Sequence, residues 1–143
     1  MIASPISFYT SVVSVKKVKD TIFATVDGSC NNLNPLMRDK NYFFEILSNI
    51  DNKAICEKQI VAGYTCMEND TLLTLENKEL LNVGDLIRFD KVGSYTMTLS
   101  PLFIEYFPAV IVKDGEKFYY ARKPWGIKEF IQNNYIGENE KEI

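Results

Sequence analysis

Short runs in which apolar and polar residues alternate recur along most of this 143-residue chain. The runs are rich in β-branched and aromatic residues, and an alternation with a period of two is typical of strands that bury one face. This pattern therefore predicts about eight short strands. They cover residues 8–19, 21–26, 42–47, 54–61, 85–89, 95–99, 110–113 and 117–121.

Turn-forming residues separate the predicted strands. The Asp114-Gly115 pair is the clearest, because Asp-Gly between two alternating runs favours the type I′ turn of a hairpin. Residues 31–35 also have the composition of a turn. Residues 125–134 are the one stretch with a helical pattern, since their apolar residues recur at helical spacing and Pro124 precedes them. We predict a mainly β fold, an antiparallel barrel or sandwich of the Greek-key type, with one short C-terminal helix.

Length and composition narrow the class of protein. A chain of this length with 46% hydrophobic residues suits a single domain over residues 1–143. Its net charge of -3, with lysine and arginine spread along the chain, indicates no nucleic-acid partner. The sequence lacks an apolar run of about 20 residues that could span a membrane, and residues 1–5 lack the features of a signal peptide. We therefore expect a cytoplasmic protein with no membrane partner.

The three cysteines differ in their sequence surroundings. They have no metal-ligand spacing and the chain has no histidine, so we predict reduced thiols and no metal site. Cys30 and Cys56 fit small buried residues of a β protein. Cys66 precedes Glu68 and Asp70 and is expected on a polar loop just past a strand end, where functional residues are common. A purely structural role stays open, since no neighbouring base would form its thiolate.

Aromatic residues offer a second set of candidates. Tyr95 could be an ordinary core or interface ring, but Gly93 and Ser94 before it leave room for another group to approach the backbone. Seven rings in the last third of the chain could form a core or cover an interface with a partner. These rings are Phe103, Tyr106, Phe107, Phe118, Tyr119, Tyr120 and Trp125.

Three motifs occur in a recognisable order. Residues 63–70 read G-x-x-C-x-x-x-D, Val83-Gly84-Asp85 leads into a predicted strand, and residues 93–96 read G-S-Y-T. Together they resemble the C-terminal β-domain of the fold-type III pyridoxal-phosphate-dependent decarboxylases that act on ornithine, diaminopimelate and arginine. The resemblance extends over about residues 8–135.

The resemblance implies roles for five residues. Cys66 matches a cysteine that reaches across a head-to-tail homodimer into the other subunit's active site, where it helps to protonate the product of decarboxylation. Tyr95 matches a tyrosine that touches the cofactor phosphate or the substrate, and Asp70 matches an aspartate that mostly organises the turn. We also predict that Asp70 binds the substrate together with Glu68. The family has an acidic residue after the cysteine that binds a distal amine of the substrate. Here that residue is Met67, and Glu68 is the acidic residue that could replace it.

The resemblance also implies that the cofactor-binding barrel of these enzymes is missing from this chain. The enzymes bind pyridoxal phosphate through a lysine of a (β/α)₈ barrel, which needs roughly 250 residues, and this chain lacks any such barrel. We therefore expect the chain to be non-catalytic alone and to bind the cofactor only with a barrel domain of the same enzyme. The alternative is a free-standing β-barrel that serves as a non-catalytic binding or interaction module. The sequence leaves the amino-acid substrate open.

Overall fold

The structure is a computed structural model, which describes residues 5–36, 41–51, 53–132 and 134. The chain divides into two compact units, Met1–Pro101 and Leu102–Ile143. The described residues form eight strands and two short helices. These are β1 (Ser7–Val18), β2 (Thr21–Val26), α1 (Cys30–Leu33), β3 (Phe43–Leu47), β4 (Ile55–Ala62), β5 (Thr71–Glu79), β6 (Leu86–Asp90), β7 (Val110–Asp114), β8 (Lys117–Arg122) and α2 (Ile127–Ile131).

A six-stranded sheet in the order β3-β6-β1-β2-β4-β5 forms the first unit. The prediction of a mainly β fold with about eight strands is confirmed. The pairing departs from a purely antiparallel one at β2 and β4, which run parallel. The reason is the connection, because the chain passes through α1 and β3 before it returns to the edge of β2, and parallel neighbours require such a crossover. That residues 1–143 form one domain stays a prediction.

Alternation along the strands places one face of the sheet in the core. On β1, Thr10 and Val12 are buried, whereas Tyr9 and Val13 are exposed. The same face of β6 contributes the fully buried Phe89. The core of the first unit thus follows the period of two expected from the sequence. Its buried apolar residues are Val12, Ala24, Val26, Cys30, Leu33, Val61, Leu72, Leu73, Leu75, Leu81, Ile87, Phe89 and Val92.

The structure corrects two elements of the first unit. Residues 95–99 were expected to form a strand, but they form consecutive turns in which the amides of Thr98 and Leu99 donate to the Tyr95 carbonyl. Conversely, β5 was not expected. Its adjacent buried leucines break the alternation and its second half is polar, so the strand signal is weak.

Short helices differ from the prediction as well. Residues 31–35, expected as a turn, contain most of α1, whose first turn is closed by Ser29 and Asn32. The Asn32 carboxamide oxygen accepts from Ser29 N at 3.0 Å, and Ser29 Oγ accepts from Asn31 N at 3.1 Å. This reciprocal cap satisfies amides that a helix start leaves without partners. The helix predicted at 125–134 is limited to α2.

The second unit contains the β7–β8 hairpin and α2. Gly115 has φ +58 in the tight turn, so the predicted Asp-Gly hairpin is confirmed. The ring centroids of Phe107 and Trp125 lie 4.9 Å apart, and the Arg122 guanidinium lies 4.9 Å from the Phe107 ring. The other five rings of the aromatic cluster are exposed and form no core of their own. They are Phe103, Tyr106, Phe118, Tyr119 and Tyr120.

A buried ion pair fastens the turn before β6. Lys53 Nζ lies 2.5 Å from Asp85 Oδ2, and each side chain is only 3% exposed. Asp85 also accepts from Asn82 N at 2.7 Å. Burial opposes ionisation of Asp85, but the Asn82 amide and the Lys53 ammonium outweigh it, and the pKa of this carboxyl lies below its usual value. These contacts support a structural role for the Val83-Gly84-Asp85 motif.

This ion pair predicts a pH dependence of stability. A carboxyl whose pKa is lowered by folding stabilises the protein fully above its unfolded pKa, about 3.9, and the benefit is lost as the pH falls through the folded value. Urea unfolding at pH 6 and at steps down to pH 2.5 should show that Asp85→Asn removes part of the acid-induced loss of stability. Exposed Asp20→Asn is the control and should keep the parent profile. Equal acid-induced losses in Asp85→Asn and the parent would contradict the prediction.

Candidate functional site

A buried carboxylate holds the turn that connects β4 to β5. Asp70 is 3% exposed. Its Oδ1 accepts from Cys30 N at 2.8 Å and from Ser29 Oγ at 3.0 Å. Its Oδ2 accepts from Thr65 Oγ1 at 2.6 Å and from Thr65 N at 3.1 Å. Four donors satisfy a carboxylate that is almost closed to water, so Asp70 fixes this turn to the start of α1. That Asp70 also binds the substrate stays a prediction.

Glycine begins the same turn for a steric reason. Gly63 N donates to Asp70 O at 2.8 Å, which brings the two ends of the turn together. A Cβ at position 63 would overlap the Asp70 carboxylate. The spacing of glycine and aspartate in the G-x-x-C-x-x-x-D motif is therefore explained by packing. A further bond from Tyr64 N to Gly28 O, 3.1 Å long, joins the turn to the residue before the α1 cap.

The middle of this turn is open to solvent. Cys66 and Glu68 are exposed, and Met67 is half-buried. β4 ends at Ala62, so the structure places Cys66 on a polar loop just past a strand end, as predicted. The arrangement combines a rigid base, fixed through Asp70, with an accessible thiol and carboxylate.

The other cysteines lie elsewhere. Cys30 is fully buried, and its Sγ lies 3.2 Å from the Thr71 carbonyl oxygen. Cys56 was expected to be buried but is only half-buried on β4, with its Sγ 3.2 Å from Lys58 O. The residues that the structure describes contain no group of three or more metal-binding side chains. In the same residues, no helix has the length and apolar character of a membrane span.

Tyr95 lies in a strained turn rather than on a strand. Its φ is +67, a left-handed conformation that costs a non-glycine residue free energy, and the residue is 61% exposed. The Tyr95 carbonyl accepts from Thr98 N at 3.1 Å and from Leu99 N at 2.8 Å. Thr96 Oγ1 donates to Val92 O at 2.6 Å. Strained residues of this kind often mark functional sites, so an exposed phenol here is a candidate ligand-binding group.

Both candidate turns contact α1. The Cys66 turn does so through Asp70, while Ser100 Oγ, at the end of the Tyr95 turn, lies 2.6 Å from the Asn31 carbonyl oxygen. Sequence reasoning did not identify this short helix. The signal was present as a serine with an asparagine three residues later, a capping-box pattern.

A phosphate-bearing cofactor needs residues that can hold it, and a phosphate needs hydrogen-bond donors or cationic side chains. A cavity of about 370 Å³ lies between the edge strands β3 and β5, lined by Asn41, Tyr42, Phe44, Thr71, Leu72, Leu73 and Thr74. This lining includes neither a cationic side chain nor Cys66 or Tyr95, so it does not suit a phosphate. Tyr95 offers one exposed hydroxyl. The chain can thus contribute to a cofactor site but does not form one from the side chains described above.

Several solved structures with a similar fold are decarboxylases. A diaminopimelate decarboxylase superposes with a TM-score of 0.73 at 20% identity, covering 88% of this chain and 33% of that one. The Helicobacter pylori diaminopimelate decarboxylase complexed with L-lysine gives 0.70 at 22% identity, covering 88% and 31%. The Paramecium bursaria Chlorella virus arginine decarboxylase bound to agmatine gives 0.56 at 19% identity, covering 68% and 27%. The chain spans about a third or less of the length of these enzymes.

Comparison by sequence identifies the family. No curated protein gives a significant match to the chain. The family model described as "Pyridoxal-dependent decarboxylase, C-terminal sheet domain" matches residues 5–93. The matched region contains the whole Gly63 to Asp70 turn and ends two residues before Tyr95. The chain belongs to the family of C-terminal sheet domains of pyridoxal-dependent decarboxylases.

Proposed function

We propose that this chain is the sheet domain of a pyridoxal-phosphate-dependent amino-acid decarboxylase, and that it completes an active site together with a barrel domain in a homodimer. One observation carries the proposal: within the matched region, a buried carboxylate anchors a turn whose cysteine is exposed. A turn that is rigid at its base and open at its tip is suited to deliver a side chain to a neighbouring domain.

Cys66 is the proposed proton donor. Bound pyridoxal phosphate supplies an electron sink that stabilises the negative charge left on the substrate when carbon dioxide departs. The Cys66 thiol then gives its proton to the former carboxyl-bearing carbon, and the thiolate recovers a proton from water. Asp70 does not take part in this transfer, because both of its carboxylate oxygens already accept hydrogen bonds that hold the turn.

Tyr95 is the proposed contact to the cofactor. Its exposed hydroxyl is a neutral donor, and a hydrogen bond to an anionic phosphate oxygen is stronger than one between neutral groups. The turn that holds Tyr95 uses backbone bonds and the Thr96 hydroxyl, so the phenol itself is available to a ligand.

The family assignment can be tested by cofactor trapping. The full-length gene product should release carbon dioxide from an amino acid and form a borohydride-reducible adduct with pyridoxal phosphate on a barrel-domain lysine. The isolated chain should form no specific adduct, because it lacks that domain. A specific reducible adduct on a lysine of this chain, together with turnover, would contradict the proposal. Failure of both proteins would favour the non-catalytic interaction module.

Substrate preference forms a separate prediction. Met67 stands where the family's acidic residue binds a distal amine, and Glu68 is exposed one residue later. We expect low kcat/KM with ornithine and higher kcat/KM where the distal group is neutral or carries its own carboxylate.

The corresponding measurement is a substrate panel on the parent enzyme and on Glu68→Ala. Removal of Glu68 should lower whatever activity remains on ornithine or lysine, since it is the acidic group available in the middle of the turn. Glu57→Ala, an exposed carboxylate on β4, is the matched control. High efficiency on ornithine that Glu68→Ala leaves unchanged would refute this part of the proposal.

A further inference from the structure

Ser100 joins the Tyr95 turn to α1. Its Oγ lies 2.6 Å from Asn31 O and 2.7 Å from Thr96 O, so its single proton is donated to one of these carbonyls or shared between them. Asn31 is 2% exposed, and water cannot readily replace the hydroxyl at its carbonyl. Ser100 therefore links the residue after Tyr95 to a buried part of the first unit.

Because the backbone of Tyr95 is strained, its conformation depends on the hydrogen bonds of Ser100. A tyrosine at φ +67 keeps that conformation only where the surrounding contacts outweigh its cost. Thr96 is held from both sides, because its hydroxyl donates to Val92 O and its carbonyl lies within reach of Ser100 Oγ. Without the Ser100 hydroxyl, the C-terminal side of the turn loses its side-chain bond to α1, and Tyr95 can relax to an unstrained backbone.

We propose that Ser100 is a positioning residue that holds the Tyr95 phenol where it meets the cofactor. The inference rests on the role proposed above for Tyr95. Ser100 touches no cofactor itself and acts through the backbone of the Tyr95 turn. Cys30 N in α1 also donates to the Asp70 carboxylate. The same four-residue helix therefore supports both the Tyr95 turn and the Cys66 turn.

The test measures the dissociation constant of pyridoxal phosphate in the full-length enzyme. Tyr95→Phe should raise it about fivefold to 150-fold, and Ser100→Ala about twofold to tenfold, the effect of losing one hydrogen bond. The double variant should bind no more weakly than Tyr95→Phe alone, because a misplaced phenol and a missing hydroxyl remove the same contact. Ser100→Thr keeps the hydroxyl and should restore binding. Ser14→Ala, a half-buried serine on β1, should bind like the parent.

The possible results distinguish a failure of the inference from a failure of the proposed role of Tyr95. If Tyr95→Phe weakens binding and Ser100→Ala does not, the inference is wrong and the role of Tyr95 stands. If the two effects multiply in the double variant, Ser100 has only a structural role and the inference is likewise wrong. If neither substitution changes the dissociation constant, the proposed role of Tyr95 fails and the inference fails with it.

Discussion

Cys66→Ala is expected to lower kcat of the assembled decarboxylase by about a hundredfold or more, the usual contribution of a positioned acid or base. The protein should keep its melting temperature, because the side chain is exposed and stabilises no described contact of the fold. Departure of carbon dioxide does not require the thiol, so stopped-flow spectra and product analysis should show a slowed or misdirected protonation step. Because carbon dioxide leaves before the protonation step, the loss should be larger in kcat than in kcat/KM.

The other two cysteines are the controls. Cys56→Ala changes a half-buried residue of β4 outside the turn and should leave kcat near the parent value. Cys30→Ala removes a fully buried sulfur and should cost about 1 to 3 kcal/mol of unfolding free energy. A Cys66→Ala enzyme as active as Cys56→Ala would contradict the role proposed for this thiol.

Asp70→Ala is expected to have the largest effect on stability. It leaves the donors of Ser29, Cys30 and Thr65 without their carboxylate, and the bonds from Ser29 and Cys30 are buried. Buried donors that lose a charged acceptor cost roughly 3 to 5 kcal/mol, and urea denaturation measures this loss directly. Asp70→Asn keeps the shape and one accepting oxygen, so it should lose less.

Glu68→Ala is the matched control for this measurement, since it removes an exposed carboxylate from the same turn. Its unfolding free energy should stay within about 0.5 kcal/mol of the parent, as for most surface substitutions. If Asp70→Ala were as stable as Glu68→Ala, the hydrogen bonds to α1 would not hold the turn, and the proposed rigidity of the Cys66 site would be wrong.

Much of the fold follows from local sequence patterns. The alternation on β1 and the Asp-Gly turn between β7 and β8 each identify their elements, because burial on one face and a tight turn leave direct signatures. Residues 95–99 show the limit of such patterns. Their β-branched and aromatic composition favours a strand, but the Tyr95 carbonyl takes up the Thr98 and Leu99 amides that a neighbouring strand would need.

The site was only partly predictable for a related reason. Cys66 and Glu68 stand out because polar residues follow a strand end, and their exposure agrees with that expectation. The hydrogen bonds that hold their turn have no such signal in the sequence, because Ser29 and Asp70 are separated by 41 residues. The parallel pairing of β2 with β4 and the crossover through α1 bring the two segments together. No local pattern encodes a contact over that separation.

The most direct test of the account is complementation between two inactive enzymes. One variant carries Cys66→Ala, and the other lacks the cofactor-binding lysine of the barrel domain. Suppose that each active site combines the sheet domain of one subunit with the barrel of the other. Random mixing in equal amounts then gives about half mixed dimers, each with one intact site of two, and should restore about a quarter of the parent activity. A mixture as inactive as its components would contradict an active site shared between this domain and the partner subunit's barrel.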